Sequence, residues 1–366
     1  MKYMIMKWLP MLCLLLAAGF LIPSCSMMHQ DLEDCPTGLY LSFKYDYNLQ
    51  RADMFNDHVG AVTVYVYDAD GRFVLRQEEM NREGYEPLKF PLYQMHLDLP
   101  EGSYQLLAVA SQKGYEQTLE GGGADFVRSE PQKGDRLQDF CVLLDREPAE
   151  EGGYMIPNEG LPLDTLWHGM LVQEDGTTPK TVEIHSGQPV YETISLVRDT
   201  KSINVSLREL EHPEAMDIAA YDLKIYDRNS HIRWDNSLDE TDEVVYTPYT
   251  VWNTDDRPAD GSNAVAGRIG HADFMTSRIL YHDRAADDAV LSVTHKETGR
   301  EVIRIDLADM LSRLRGGADR YYEPQEFLDR GYDYQLTFFL QGGEWKYLEL
   351  RISVLSWTLR IQNEDL

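Results

Sequence analysis

From residue 38 onward, apolar side chains recur at every second position between clusters of turn-forming residues. A period of two belongs to a strand with one buried face, and it leaves little room for long helices. In GLYLSFKYDYN, Leu39, Leu41, Phe43 and Tyr45 share one face. VGAVTVYVYDADGRFVLRQ reads as two strands joined at Asp68-Ala69-Asp70-Gly71, residues that tolerate the positive φ of a tight turn. MHLDLPEGSYQLLAVASQ is a second pair, joined around Pro100-Glu101-Gly102, and RLQDFCVLLD is a closing strand. Short strands at this spacing predict an antiparallel sandwich.

The pattern breaks at EPAEEGGYMIPNEGLP, which is rich in Glu, Gly and Pro. A linker over 149–160 is therefore expected between a first β-sandwich domain (38–148) and a second (161–366). The second stretch repeats the plan of the first. RDTKSINVSLREL takes the part of the first strand, and DIAAYDLKIYDRNSHIRW parallels HVGAVTVYVYDADGRFVL through Tyr67-Asp68 and Tyr226-Asp227. GYDYQLTFFLQGG parallels GSYQLLAVASQKG, with Tyr334-Gln335-Leu336 answering Tyr104-Gln105-Leu106. The shared order favours duplication. One short helix is expected in the second domain, where Asp306 can cap DLADMLSRLRGG. Leu307, Met310, Leu311 and Leu314 fall at helical spacing there, with Gly316 as the stop.

The N-terminus reads differently. MKYMIMKWLPMLCLLLAAGFLIPSC places Lys2 and Lys7 before an apolar core from Met11 to Ile22. That core is shorter than the roughly 20 residues a spanning helix needs, so it reads as a secretory signal. It ends in Ile22-Pro23-Ser24-Cys25, which resembles the bacterial lipobox. On that reading residues 1–24 are removed, Cys25 carries the lipid and 25–37 form a tether. Two acyl chains anchor stably where one does not. The acidic run Asp31, Glu33, Asp34 resembles the surface-export signal of lipoproteins in Bacteroides-like bacteria, and equally suits a solvated linker. With Cys13 lost and Cys25 acylated, Cys35 and Cys141 remain in an oxidising compartment, as a disulfide or as two buried thiols.

The formal charge is −28, and loss of the signal removes two lysines and no acid. Such a surface repels nucleic acid and anionic lipid. No H-E-x-x-H, G-x-S-x-G, phosphate loop or paired C-x-x-C occurs. Asp68–Gly71 lacks the following bidentate Glu of a calcium loop. The many carboxylates deprive any one pair of meaning, and Trp167-His168-Gly169 reads as a buried Trp at a strand start. No enzyme activity, metal or cofactor is expected. A glycan-binding module would use Trp234, Trp252 and Trp345, which lie scattered.

Several runs together carry a resemblance. Asp34-Cys35-Pro36 follows the lipobox and leads to Lys44-Tyr45-Asp46-Tyr47-Asn48. VTVYVYDADGRFV, LWHGMLV, QEFLDRGYDYQLTFFL and the closing ISVLSWTLRIQNEDL come after, the last with Trp357 and Gln362-Asn363. In this order they resemble the FimB-like fimbrial anchor lipoproteins of type V pili in Gram-negative anaerobes, over nearly the whole mature chain. The resemblance implies two transthyretin-like β-sandwich domains without enzymatic activity. It implies an outer-membrane lipoprotein that anchors or caps a fimbrium, with pilin subunits as partners through strand donation and a host receptor reached through the fibre. A shaft or tip subunit would instead be cut by an arginine-specific protease after the first strand. Arg51, in NLQRADMF, is the candidate for that cut. A Cys35–Cys141 disulfide would hold the lipidated strand to the domain even after cleavage.

Overall fold

The computed structural model describes residues 38–150, 152–173, 175, 176, 178–257, 265–354 and 357–363. The signal, Cys25 and Cys35 lie outside them. In chain order the first strands are β1 (Gly38–Lys44), β2 (Ala61–Asp68), β3 (Phe73–Met80), β4 (Met95–Leu97), β5 (Gly102–Ser111), β6 (Phe126–Arg128) and β7 (Cys141–Leu144). Then come β8 (Glu147–Pro148), β9 (Tyr154–Met155), β10 (Leu166–Met170), β11 (Val182–Ile184), β12 (Pro189–Ser195) and β13 (Val197–Arg198). The remainder are β14 (Lys201–Glu209), β15 (Tyr221–Asp227), β16 (His231–Arg233), β17 (Val244–Tyr246), β18 (Thr250–Asp256) and β19 (Gly267–Thr276). They continue through β20 (Val290–His295), β21 (Arg300–Asp306), β22 (Asp333–Gln341), β23 (Glu344–Val354) and β24 (Trp357–Asn363).

In the first half, a sheet ordered β12-β1-β4 packs on a sheet ordered β13-β10-β5-β2-β3. Leu39 and Leu41 of β1 meet Val62, Val64 and Val66 of β2 and Leu106, Ala108 and Ala110 of β5 between them. β2 is buried along seven residues because its other face is covered too, with Tyr65 and Tyr67 packing against Phe140 and Phe73. The small sheet β16-β7-β6 lies on that side. The β2–β3 turn forms as expected. The Asp68 carboxylate accepts from the backbone of Asp70 and Arg72 at 2.9 and 2.8 Å, and Gly71 takes φ 71°. The second half is a sandwich of two six-stranded sheets, β18-β19-β14-β22-β23-β24 and β21-β20-β15-β17-β9-β8.

This multi-sheet β-sandwich architecture matches the expected class, with differences of detail. Three pairings are parallel, β1–β12, β14–β22 and β9–β17, and alternation alone does not distinguish them from antiparallel ones. The two halves do share a plan: β1 and β14 each lie between a parallel and an antiparallel partner. In that plan β22 occupies the place of β12, not of β5, which its sequence resembles. The expected linker at 149–160 does not divide the sheets. β9 within it pairs with β17, while β10 and β11 return to β5, β12 to β1 and β13 to β10. Gly, Pro and Glu suit tight turns between short edge strands as well as they suit linkers. We propose the boundary instead at Asp199–Thr200, between β13 and β14.

Four short α-helices occur among the described residues, where one was expected. They are α1 (Phe55–His58), α2 (Tyr115–Leu119), α3 (Leu307–Ser312) and α4 (Pro324–Arg330). α3 is the expected one: the Asp306 carboxylate accepts from the Asp309 amide at 3.0 Å, and Leu307, Met310, Leu311 and Leu314 are buried. It ends at Ser312, before Gly316. α1 and α2 are too short to show a period, whereas α4 carried a legible start in Pro324 at its first turn.

Trp167-His168-Gly169 is a packing motif. Trp167 is fully buried, and Gly169 lies where β10 crosses β12. A Cβ there would lie 2.6 Å from Ile194 Cγ2 and 2.8 Å from the Ser195 carbonyl oxygen. Gly169→Val should therefore cost several kcal/mol by overpacking, about 1–3 or more. A urea midpoint within error of the wild type would refute this close approach.

Candidate functional site

Two features stand out around the strand that would carry a tether. The first is β1 itself, held along all seven residues by β12 and over Leu39–Leu41 by β4. Its inner residues are buried. Its outer face carries a ladder of stacked rings across the three strands, His96, Tyr40 and Tyr191, with centroids 4.7 and 5.2 Å apart. Cross-strand aromatic pairs of this kind stabilise a sheet.

The second is the junction where β1 hands over to the second half. After β1 the chain turns at Asn48–Arg51, with Asn48 donating to the carbonyls of Tyr45 and Ala52 at 2.7 and 2.8 Å. Arg51 sits at φ 55°, the left-handed region that L-residues rarely adopt. Its guanidinium reaches Asp319 at 2.8 Å and donates to the Tyr322 hydroxyl at 3.2 Å. Gln50 donates to the Tyr332 hydroxyl at 3.2 Å. The Arg330 guanidinium lies 4.0 Å from the Tyr47 ring and 4.7 Å from that of Tyr322. That of Arg198 lies 4.2 Å from Tyr332 and 5.7 Å from Trp167, whose edge meets Tyr45. Three runs that mark the resemblance, KYDYN, LWHG and FLDRGYDY, thus converge at one place.

Beneath these rings lies a buried polar network. Lys201 is fully buried and donates to the carbonyls of Gly331 at 2.8 Å, Asp329 at 3.1 Å and Arg198 at 3.4 Å. It thereby satisfies the open carbonyls at the end of α4. Burial pushes its ammonium down to about 7. Asp329 accepts a two-pronged pair of bonds from Arg278, each 2.7 Å, and Arg278 also donates to the Asn236 carbonyl. Burial opposes the Arg278 charge, yet Asp329 holds its pKa above the ordinary arginine value. Asp199 is buried and accepts from Asn236 at 3.0 Å, and burial raises its carboxyl to about 7. Sequence reading missed this network because its members are far apart in the chain. A lysine inside an apolar strand, TKSINV, was the available signal.

His168 borders the same region and is 3% exposed, with burial lowering its pKa to about 4. A depressed histidine stabilises the fold above the unfolded pKa of about 6.5 and loses that contribution as pH falls toward 4. The shift corresponds to about 3 kcal/mol. His168→Gln removes this titration, so stability of the wild type relative to the variant should drop by about that amount between pH 7 and pH 4 in urea titrations. Parallel pH profiles would contradict it. Asp199 and Asp227, both raised to about 7 by burial, act in the opposite sense and cancel in this comparison.

The other expected site residues fall as follows. Cys35 lies outside the described residues. Cys141 opens β7, half-buried, with its sulfur 3.4 Å from the Ser129 hydroxyl. β1 and β7 pack on opposite faces of the β5–β2 pair, and stacked sheets lie about 10 Å apart. Gly38 also lies at the end of β1 away from Tyr45. Tyr45 meets Trp167 opposite Ala110, and Cys141 lies near that same end, beside Arg128 bonded to Ser111. The Cys35–Cys141 disulfide rests on Cys35, which lies outside the described residues. Of the three tryptophans, Trp234 and Trp345 pack against the core. Only Trp252, stacked on His271 at 5.0 Å, is exposed. They form no shared platform.

The fold and this junction define a multi-sheet β-sandwich protein, with no cluster of metal-ligating residues and no helix long and apolar enough to cross a membrane among the described residues. The chain belongs to the family of fimbrillin-A associated anchor proteins Mfa1 and Mfa2, whose sequence profile matches residues 32–363. This is a family of fimbrial anchor proteins and not one of enzymes, and membership implies association with the cell surface and with other fimbrial subunits. The minor fimbrium anchoring subunit Mfa2 of Porphyromonas gingivalis is 23% identical over 295 residues, 78% of this chain and 75% of that protein. A candidate adhesin of Bacteroides thetaiotaomicron has a similar structure, with a TM-score of 0.70 and 27% identity over 90% of this chain and all of that one. The structure of Mfa2 from Porphyromonas gingivalis shares the fold at a TM-score of 0.58 and 17% identity, over 89% of this chain and 99% of that one.

Proposed function

We propose that the chain is a lipoprotein that anchors or caps a fimbrium at the outer membrane, tethered through lipid on Cys25 and joined to a pilin subunit by strand complementation. The observation that carries this reading is the seating of β1 and the turn behind it. An anchor must keep the strand from which its lipid hangs. Here β1 is the central strand of its sheet, and the turn containing Arg51 is docked on Asp319 and Tyr322. Proteases need locally unfolded chain, and the Arg51 bond, although exposed, lies in a tight hydrogen-bonded turn whose side chain is engaged. The partner's strand would add to an edge that presents unpaired N–H and C=O groups, satisfying them while its side chains fill pockets. A shaft or tip subunit processed after Arg51 is the alternative. The glycan-binding alternative is not favoured, because Trp234 and Trp345 are packed against the core.

Limited trypsin digestion of the folded protein tests the reading. Cleavage is expected first at exposed arginines such as Arg284, whose side chain is 80% exposed, while the Arg51–Ala52 bond persists. Early, quantitative release of the segment ending at Arg51 from an otherwise native protein would favour the shaft or tip.

A further inference from the structure

Arg198 and Arg330 occupy equivalent positions in the junction. Each guanidinium lies between an aromatic ring of the first half and one of the second. Arg198 sits between Trp167 and Tyr332, and Arg330 between Tyr47 and Tyr322. Two further contacts reinforce them on the same side, Gln50 with Tyr332 and Arg51 with Asp319. His58 adds edge contacts to both Tyr45 and Tyr332. Of the first-half members, Tyr45, Tyr47, Gln50 and Arg51 belong to the segment directly after β1. Tension entering at Gly38 would thus first load all seven β1–β12 pairs together, and then reach Tyr45–Arg51.

We propose that these two arginine contacts form a force-resisting clamp, which locks the junction behind β1 to the second half when the chain is pulled from its N-terminal end. The inference rests on the reading of the N-terminal segment as the tether. A planar guanidinium lying over two rings and largely shielded from water binds more strongly than an exposed ion pair. It joins the turn after β1 to α4 and the start of β22, which pairs with β14 in the middle of the second sandwich. The strained φ of Arg51 is held by the same contacts. The clamp acts beside the β7–β16 and β9–β17 pairings and the shared core that also join the halves, at the end where the load enters.

The test is single-molecule pulling of the full mature chain with Cys35→Ser and Cys141→Ser, so that a handle attaches at Cys25 and a second at the C-terminus. The handle takes the place of any lipid, so the outcome does not depend on whether Cys25 is acylated in the cell. The parent chain is expected to extend in one step that releases both halves. Arg198→Lys and Arg330→Lys keep the charge and lose the planar stack. Each should shorten the lifetime under load about tenfold. Circular dichroism and melting establish that each variant is folded. Tyr322→Leu, at the outer edge of the junction, supplies an independent variant with the same expected result. A parent chain that opens in two steps would overturn the proposal. So would folded Arg198→Lys, Arg330→Lys and Tyr322→Leu variants whose lifetime under load matches the parent.

Discussion

Asp329→Ala is expected to destabilise the fold by about 3–5 kcal/mol, because it leaves a buried arginine without its partner. The Arg278 side chain is only 15% exposed and Asp329 7%, so solvent does not replace the lost carboxylate. Lys201 and Arg198 lie in the same network, and with Asp329 gone their charges and that of Arg278 face Asp199 as the main remaining acid. Asp199 is itself held toward its neutral form by burial, which deepens the imbalance. The contrast is Asp319→Ala. That residue pairs with an Arg51 side chain that is 47% exposed, and exposed pairs contribute no more than about 1 kcal/mol. Urea unfolding of the two variants should separate them by several kcal/mol. Equal midpoints would mean that the buried Arg278–Asp329 pair contributes no more to the fold than an exposed one.

Leu41→Ala should cost about 2–5 kcal/mol, the range for truncating a fully buried leucine. Leu41 is 0% exposed and lies mid-strand in β1, where it packs across the first core. Tyr191, on the outer face of the same sheet, is 61% exposed and stacks only on Tyr40, so Tyr191→Ala should cost about 1 kcal/mol. The difference measures how firmly β1 is bedded on its inner side. A small effect of Leu41→Ala would show that β1 can be withdrawn cheaply, as a strand destined for removal would be.

Much of this architecture was legible because alternation survives wherever one face meets a core. GLYLSFK, FVLRQEEM and DYQLTFFLQ read as strands and are strands. β2 was legible for a second reason: its valines fill one core and its tyrosines the other, so both phases of the alternation are apolar. Strand partnership was not legible. Nothing in VYETIS says that it pairs in parallel with a strand some 150 residues earlier, since pairing is decided by which edges remain free as the sheets assemble. The same limit bears on the domain boundary, because a composition of Gly, Pro and Glu marks a break in the pattern without saying whether the sheet changes there.

The junction shows the opposite case. Its residues were visible as runs marking a resemblance, and their purpose was not. Tyr45 and Tyr47, Trp167, and Arg330 with Tyr332 come from three distant segments, and only the fold brings them into one stack.

The account depends most on β1 staying attached to a lipid in the mature protein. Mass spectrometry of the protein isolated from its native membrane, reading its N-terminus and the covalent state of Cys25, tests this most directly. An acylated Cys25 on a chain unbroken through Arg51 is the predicted result. A mature chain that begins at Ala52 and carries no lipid would contradict it.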